Sequence, residues 1–507
     1  MSASRTWSVA LTGIDGAIVE VEADQSNQTP GFHIIGLPDS ALREAASRVH
    51  NASANCGLAL SRRRITVNLS PASLPKQGSG FDVAIAVAAL ATDGGMDEDS
   101  LARTVHLGEL GLDGRLRPVP GVLPAVLAAA RAGFERIVVP HANADEARLV
   151  DGVRVLAAAS LAEVARAHGA DVAEVELEPV PRPAAAAGSA EAPELADVIG
   201  QPEAVEALIA AAAGDHHLLM SGPPGAGKTM LASRLPGILP PLGDEAAIQV
   251  ASVRSLCGEP VEALVRRPPF EAPHHSASVA ALVGGGSRLV RPGAIARATH
   301  GVLFLDEAGE FPAHALDALR QPLETGSIVI HRAGFTASFP ARFQLVLATN
   351  PCPCGNYGVR AAVCECPPMA IRRYLGRLSG PLLDRVDIEL RLARVSVTQA
   401  SRSGVVSTQA ARERIAQARD RAAHRLRETP WRVNARVDGT WLRSGPLALP
   451  PVARRPLDAA LHRGSLTLRG YDRTLRLAWT LADLDGHSAP TVHDVGRALY
   501  MKKGITP

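Results

Sequence analysis

Lysine is the scarcest charged residue in this chain: among 507 residues there are four, Lys76, Lys228, Lys502 and Lys503, and arginine carries almost all the positive charge. Any lysine inside a motif is therefore conspicuous. Cysteine is also rare, and six in this length exclude a disulfide-held scaffold. No run of 18 apolar residues exists. The most apolar stretch, 81–92, is too short to span a bilayer and contains Asp82. The first residues, MSASRTWSVALTG, lack the apolar centre of a secretory signal. No repeat of 20–50 residues is visible. Together these absences predict a cytoplasmic protein with no membrane contact. A formal charge of +2 rules out a global basic field.

The 46% hydrophobic and 21% charged shares support real cores, and the length suits about three domains. Charge is unevenly spread. Residues 396–507 hold 19 basic and 9 acidic side chains, against 34 and 42 in the preceding part. That surplus suits a polyanion or, equally, a solvated arginine-rich helix face. The stretch 176–193, with four prolines and a small-residue run, reads as a linker. Before it, 1–175 alternates strand-like and alanine-rich helical runs. After it, 194–395 repeats strand and helix signals around glycine turns, which predicts an α/β fold with a mainly parallel sheet. Residues 396–507 read as helical.

The sharpest motif is Gly222-Pro223-Pro224-Gly225-Ala226-Gly227-Lys228-Thr229, with a strand-like run before it and a helical run after it. Glycines let backbone N–H groups curl around phosphates, Lys228 reaches the β- and γ-phosphates, and the Thr229 hydroxyl ligates Mg²⁺. Further on, the apolar run 301–305 ends in Asp306-Glu307. Two carboxylates at a buried strand end suit a metal ligand, Asp306, and a base for the attacking water, Glu307. A third strand-like run ends in Asn350, placed to bond a γ-phosphate or the water, or to cap a turn. Arg385, in Pro381-Leu382-Leu383-Asp384-Arg385-Val386-Asp387, reads either as a finger reaching a neighbouring subunit or as a local partner of Asp387.

These segments resemble AAA+ ATPases of the magnesium-chelatase clade, and specifically the YifB/ComM family. The stretches that carry the resemblance include EAPHHSASVAALVGGG, GVLFLDEAGEF, FPARFQLVLATNPCPCG and SGPLLDRVDIEL. The resemblance implies an AAA+ P-loop core at 194–395, a helical lid at 396–507 and a Lon-protease-like domain, of ribosomal-S5 type, at 1–175. It makes Lys228 and Thr229 the Walker A pair, Asp306 and Glu307 Walker B, Asn350 sensor 1, Arg385 the trans finger and Arg476 the sensor-2 arginine, with Arg473 as fallback. It implies ATP and Mg²⁺ as cofactors and a homo-oligomeric ring, a hexamer. After Arg291-Pro292-Gly293 the family has Glu where this chain has Ala294, so any role of that acid is absent. The run 327–340 would be a hairpin whose tip carries His331 and Arg332 toward a phosphate backbone or into solvent.

Ser79 falls near the position of the Lon-type nucleophile. The downstream lysine base is missing, because no lysine stands between Lys76 and Lys228. A serine without a base is a poor nucleophile, so the domain reads as a binding or assembly module. Cys352, Cys354, Cys364 and Cys366 on a glycine- and proline-rich loop suit a tetrahedral zinc site, with reduced thiols or a redox pair as alternatives. That loop would stiffen the surroundings of Arg372, Arg373 and Arg377. His274 and His275 lack partner ligands and read as structural. The functional expectation is an ATP-driven motor on branched or single-stranded DNA, a ComM-like branch-migration helicase. The competing readings are a metal-chelatase ATPase subunit and a protein remodeller without peptidase activity.

Overall fold

A computed structural model of the chain describes residues 3–37, 39–173, 177–181, 193–286, 290–332, 335–359, 362–395 and 406–503. Most of the expected linker, and the hairpin tip at Ala333-Gly334, lie outside these residues.

The amino-terminal part is built on a seven-stranded mixed sheet. Its strands are β1 (Ser4–Thr12), β2 (Asp15–Ser26), β3 (Gly31–Ile35), β4 (Arg64–Ser70), β5 (Thr104–His106), β6 (Arg136–Pro140) and β7 (Arg154–Ala158), in the order β3-β4-β2-β1-β5-β6-β7. Residues alternate between buried and half-buried along β4, the two-residue period of a sheet with one face on the core. The apolar stretch 81–92 becomes α1 (Asp82–Ala91), every residue of which is buried. Its one carboxylate, Asp82, accepts two hydrogen bonds from Arg48 at 2.6 and 2.9 Å, yet burial still pushes it up to about 6.

The second part starts with α2 (Pro202–Gly214) and holds a fully parallel five-stranded sheet. Here β8 (Leu218–Ser221) feeds α3 (Lys228–Ile238), followed by α4 (Asp244–Leu256), β9 (Phe270–Glu271) and β10 (Val302–Leu305). Then come α5 (Arg320–Thr325), the hairpin β11 (Ser327–Arg332) and β12 (Phe335–Pro340), β13 (Gln344–Thr349) and β14 (Ile388–Arg391). Strand order is β9-β10-β13-β8-β14, with Leu218 opposite both Val346 and Ile388. All residues of β10 and β13 are buried, as expected of a parallel sheet covered on both faces.

The lid comprises α6 (Thr408–Arg425), α7 (Leu468–Asp485) and α8 (Val492–Lys503), and it shares one apolar core with α2 and α3. Several of its arginines are engaged within the fold, while others, among them Arg427, Arg455, Arg463 and Arg469, are exposed. Arg414 grips Glu206 at 2.7 and 3.0 Å, Arg419 donates to the Ala212 carbonyl, and Arg412 donates to that of Gly237. Arg425 forks onto buried Asp483 and lies 4.4 Å from the Trp479 ring centre. Part of the basic surplus is tertiary glue.

The two parts meet at α4 and the hairpin. The buried Ser255 hydroxyl donates to Glu146 at 2.5 Å, and its carbonyl accepts from Gly121 N at 2.9 Å. Ile14 N donates to the Ser338 carbonyl, while Leu11 and Ile14 pack on Val253, Leu256 and Phe339. The amino-terminal domain thus sits directly on the base of the hairpin. Among the described residues no helix is long and apolar enough to cross a membrane.

Candidate nucleotide site and its flanks

The glycine-rich segment 222–229 joins β8 to α3 at the carboxyl end of the sheet. Gly225 and Gly227 take φ of +77° and +82°, which a side chain would resist, and so the chain can wrap tightly before the helix starts. Lys228 is buried and folds back on its own loop, donating to the Gly222 and Pro223 carbonyls at 2.6 and 3.1 Å and to Asn350 Oδ1 at 3.0 Å. Burial pushes its ammonium pKa down, against the pull of Asp306 and Glu307. The Thr229 hydroxyl donates to Asp306 Oδ2 at 2.6 Å, so the two oxygens expected at one Mg²⁺ already converge. Glu307 stands at the end of β10 with φ +50°, a left-handed conformation that an ordinary side chain adopts at a cost of about 1 kcal/mol. Its backbone N–H donates to Asp306 Oδ1 at 2.9 Å. A lysine, a hydroxyl, three acidic or amide side chains and a glycine-rich loop opening a helix fit a nucleoside triphosphate with Mg²⁺.

One partner was not expected. His275 Nδ1 lies 3.3 Å from Glu307 Oε2, and the His274 and His275 rings stand 4.0 Å apart. Neither meets a metal-ligand set; His275 instead faces the expected base. Adjacent histidines in a loop gave no sign of that contact, because it is made across the sheet edge rather than along the chain.

The arginines lie elsewhere. Arg385 pairs with Glu324 on α5 and donates to the Pro381 carbonyl at 2.5 Å. The expected local alternative, an Arg385–Asp387 pair, is not formed. Asp387 is fully buried and instead accepts from Arg473 at 2.7 Å and from His217 N at 3.1 Å, with His216 Nδ1 at 3.5 Å. Burial opposes its charge, but these partners, Arg473 foremost, hold it well below the usual carboxylate range. Arg476 donates through Nε to the Val437 carbonyl at 2.8 Å. Arg385, Arg469, Arg473 and Arg476 share a cavity of about 180 Å³ with Glu324. This cavity is at the amino end of the sheet, because Asp387 immediately precedes β14, whose first residue pairs with Leu218. The P-loop begins beyond Ser221, so roughly 10 Å of strand separates the two ends at about 3.3 Å per residue.

On the other flank, the four expected cysteines converge, with every Sγ within 4.8 Å of the others. Cys352 is buried and accepts from Tyr357 N at 3.3 Å. The Asn356 N–H pulls the Cys354 thiol down to about 6. Of the nearby arginines, Arg377 is tied to the Gly309 carbonyl and to Glu310 at 2.6 and 2.9 Å, while Arg372 and Arg373 are exposed. The hairpin forms in the expected place, with His331 paired to Thr336 across it and exposed. In the amino-terminal domain Ser79 donates to the Glu109 carboxylate. Lys76 is fully buried, with its Nζ bonded to the carbonyls of Gly36, Leu69 and Pro71. All three of its protons are engaged, and none of its partners is Ser79.

A parallel sheet with this loop, this carboxylate pair and a helical lid docked at its amino end defines a magnesium-chelatase-type AAA+ protein. Family models agree along the chain: one described as magnesium chelatase, subunit ChlI, matches residues 194–400. Subunit ChlI of Mg-chelatase matches 21–143, and the ChlI C-terminal model matches 406–502. An uncharacterized protein of Mycobacterium tuberculosis is 48% identical over 509 residues, covering 99% of both chains. Competence protein ComM of Haemophilus influenzae is 42% identical and the uncharacterized protein YifB of Escherichia coli 39%, each covering 96% of this chain and 94% of its own. The chain belongs to the YifB/ComM family of magnesium-chelatase-like AAA+ proteins. A partial likeness to Lon protease of Mycolicibacterium smegmatis, 29% over 143 residues and 18% of that protein, accords with the Lon-like domain.

Proposed function

We propose that this protein is an ATP-hydrolysing ring motor that works on DNA in the cytoplasm, as a ComM-like branch-migration helicase in recombination of incoming DNA. The observation that carries the motor part is the separation just described: the phosphate loop and its carboxylates stand at one end of the sheet, and the arginine cavity stands at the other. In a head-to-tail ring, a hexamer on this reading, the amino end of one subunit faces the phosphate loop of the next, so the site is completed by a second copy.

In the assembled site, residues 222–227 cradle the phosphates and Lys228 swings from its carbonyls to the β- and γ-oxygens. Thr229 and Asp306 hold Mg²⁺, which when bound neutralises the phosphate charge. Glu307 leaves His275, orients the attacking water and takes its proton. Asn350 moves from Lys228 to the γ-phosphate or the water. Arg385 leaves Glu324 and, with Arg476, meets the charge that develops on the neighbour's γ-phosphate. Arg476 suits this task better than Arg473, because Arg473 is in a direct ion pair with Asp387 whereas Arg476 donates to the Val437 carbonyl and feels its nearby carboxylates only at longer range. The functional units are 1–175, the linker 176–193, the core 194–395 and the lid 396–507. Zinc at the four cysteines completes the cofactor set.

The DNA part rests on the competence name of a 42%-identical relative and on the exposed His331 of the hairpin. The chelatase alternative has the family-model description behind it. The remodelling alternative loses its peptidase arm, because Ser79 meets a carboxylate and Lys76 is fully occupied. ATPase rate measured separately with single-stranded DNA, duplex, a four-way junction, unfolded protein and porphyrin discriminates them. Stimulation by DNA, greatest with the junction and weakened by His331→Glu with Arg332→Glu in a salt-dependent way, is the expected outcome. An assembled, ATPase-competent ring that no DNA form stimulates overturns the DNA reading.

A further inference from the structure

The cysteine loop and the phosphate loop are distant in sequence but meet in space. Strand β13 ends at Thr349; Asn350 follows and holds Lys228, and two residues later comes Cys352, the buried member of the cluster. The loop then turns through Gly355, whose N–H donates to the Cys352 carbonyl at 2.9 Å and whose φ is +80°. A Cβ built on Gly355 would lie 2.4 Å from Pro224 Cδ, so its backbone rests directly on the second proline of the phosphate loop. A side chain there is excluded both by conformation and by contact.

The sulfur geometry identifies what closes this loop. Cys352 Sγ lies 3.3 Å from Cys354 Sγ and 3.7 Å from Cys364 Sγ, and Cys354 and Cys364 Sγ are 3.7 Å apart. A disulfide would need about 2.05 Å. Four sulfurs each about 2.3 Å from one zinc stand about 3.8 Å apart in a tetrahedron. The three separations among Cys352, Cys354 and Cys364 fall at or just below that edge, and Cys366 Sγ lies within 4.8 Å of the others, close enough to share one metal. The N–H of Tyr357 pointing at Cys352 Sγ is a bond that holds a ligating thiolate in orientation.

We propose that Cys352, Cys354, Cys364 and Cys366 bind one Zn²⁺, and that the metal holds their loop as a strap across the phosphate loop and sensor Asn350, so that metal occupancy sets the affinity for nucleotide. The inference rests on the zinc and ATP readings above and adds a coupling between them. Two connections carry it: the covalent one from Asn350 to Cys352, and the packed one from Gly355 to Pro224. Without metal, four thiols on a glycine- and proline-rich loop lose their common anchor, and both connections slacken together.

The test uses the full-length protein and three measurements: bound metal by mass spectrometry, binding of a fluorescent ADP analogue, and the thermal unfolding profile. The wild type should carry one zinc per chain. Removing it with a thiol-blocking mercurial and a chelator, or by Cys354→Ser with Cys366→Ser, should weaken nucleotide binding about tenfold to a hundredfold, the scale of a misplaced contact in a built site. Gly355→Ala presses on Pro224 directly, so it should keep the zinc and weaken nucleotide binding; this tests the packed contact, while metal removal from the wild type tests the coupling. Absence of zinc, or iron in its place, overturns the metal assignment and the strap with it. One zinc per chain, with affinity unchanged by metal removal, overturns the strap and leaves the zinc site standing. A wild type that carries zinc but binds no nucleotide overturns the ATP reading, and the coupling falls with it.

Discussion

The two ends of the core sheet are built on opposite plans. At the carboxyl end the polar groups are few, close in sequence to strand ends, and bonded to one another in ways a ligand can replace: Lys228 to carbonyls and Asn350, Thr229 to Asp306, Glu307 to His275. At the amino end, Asp387 is locked among Arg473, His216 and His217, while Arg385 and Arg476 face a cavity from its rim. One end gathers a lysine, a hydroxyl and carboxylates around a glycine loop; the other gathers four arginines with Glu324, Asp384 and Asp472 beside a buried carboxylate. The difference teaches that, on the proposed function, the residues assigned to one ATP site are divided between two faces of the chain, and that parallel strands cannot fold it onto itself.

The largest expected effect tests that division. Lys228→Ala should abolish nucleotide binding, whereas Glu307→Gln should keep binding and stop turnover. Arg385→Ala should lower turnover about a thousandfold or more without loss of binding. Mixing Arg385→Ala with Lys228→Ala subunits should restore activity. In an equal mixture roughly a quarter of interfaces of a head-to-tail ring join an intact finger to an intact phosphate loop. A mixture as inactive as its components would mean that Arg385 serves its own chain, and the contrast between the two faces would lose its functional meaning.

The carboxyl end was the legible one. A phosphate loop is contiguous, and strands that end in Asp306-Glu307 and Asn350 announce themselves because polar residues are costly after a buried apolar run. The amino end was not. Arg385 looked equally able to pair with Asp387, and only the tertiary structure shows that carboxylate held by Arg473 from a lid helix 86 positions along the chain. The lid's charge surplus was legible only as a total: composition counts arginines but does not see which of them Glu206, Asp483 or the carbonyl of Ala212 engage. His275 and the Gly355–Pro224 contact were invisible because both join segments that meet only after the sheet is assembled. In the amino-terminal domain the absence of a lysine base was readable, whereas the engagement of Lys76 by three carbonyls was not.

A smaller effect concerns the anchor at the amino end. His217 is fully buried, accepts from Leu345 N at 3.0 Å, and is pushed down to about 4, chiefly by burial, with Asp387 pulling the other way. Because the folded value is depressed, the contribution of the neutral ring is complete above the unfolded value near 6.5 and is lost as pH falls toward 4. Asp387, held well below the carboxylate range, keeps its charge through that window. Stability measured by denaturant titration should therefore fall by about 3 kcal/mol more between pH 6.5 and 4 in the wild type than in His217→Gln, which retains an acceptor but has no proton to gain. Parallel profiles for the two proteins would show that the His217 ring does not titrate in this window and adds no pH dependence to this end of the sheet.

The smallest effect is an expected absence. Ser79 sits at the entry to α1 with open space around its flanking glycines, the kind of exposure a nucleophile needs. Its hydroxyl, however, donates a hydrogen bond to the Glu109 carboxylate and not to the lysine amine that serves as base in Lon-type sites. The only nearby amine, on Lys76, is an ammonium with each of its three protons on a carbonyl, and burial lowers its pKa without freeing a lone pair. Ser79→Ala removes one half-buried hydrogen bond and leaves Glu109 within reach of water, so stability should change by no more than about 1 kcal/mol. ATPase rate should stay at the wild-type value, and a fluorophosphonate probe should label neither protein. Labelling of the wild type that disappears in Ser79→Ala would reveal an activated serine. A hydrolytic centre would then exist in the domain docked on the base of the hairpin, and the amino-terminal half would join the two ends of the sheet as a third chemical surface.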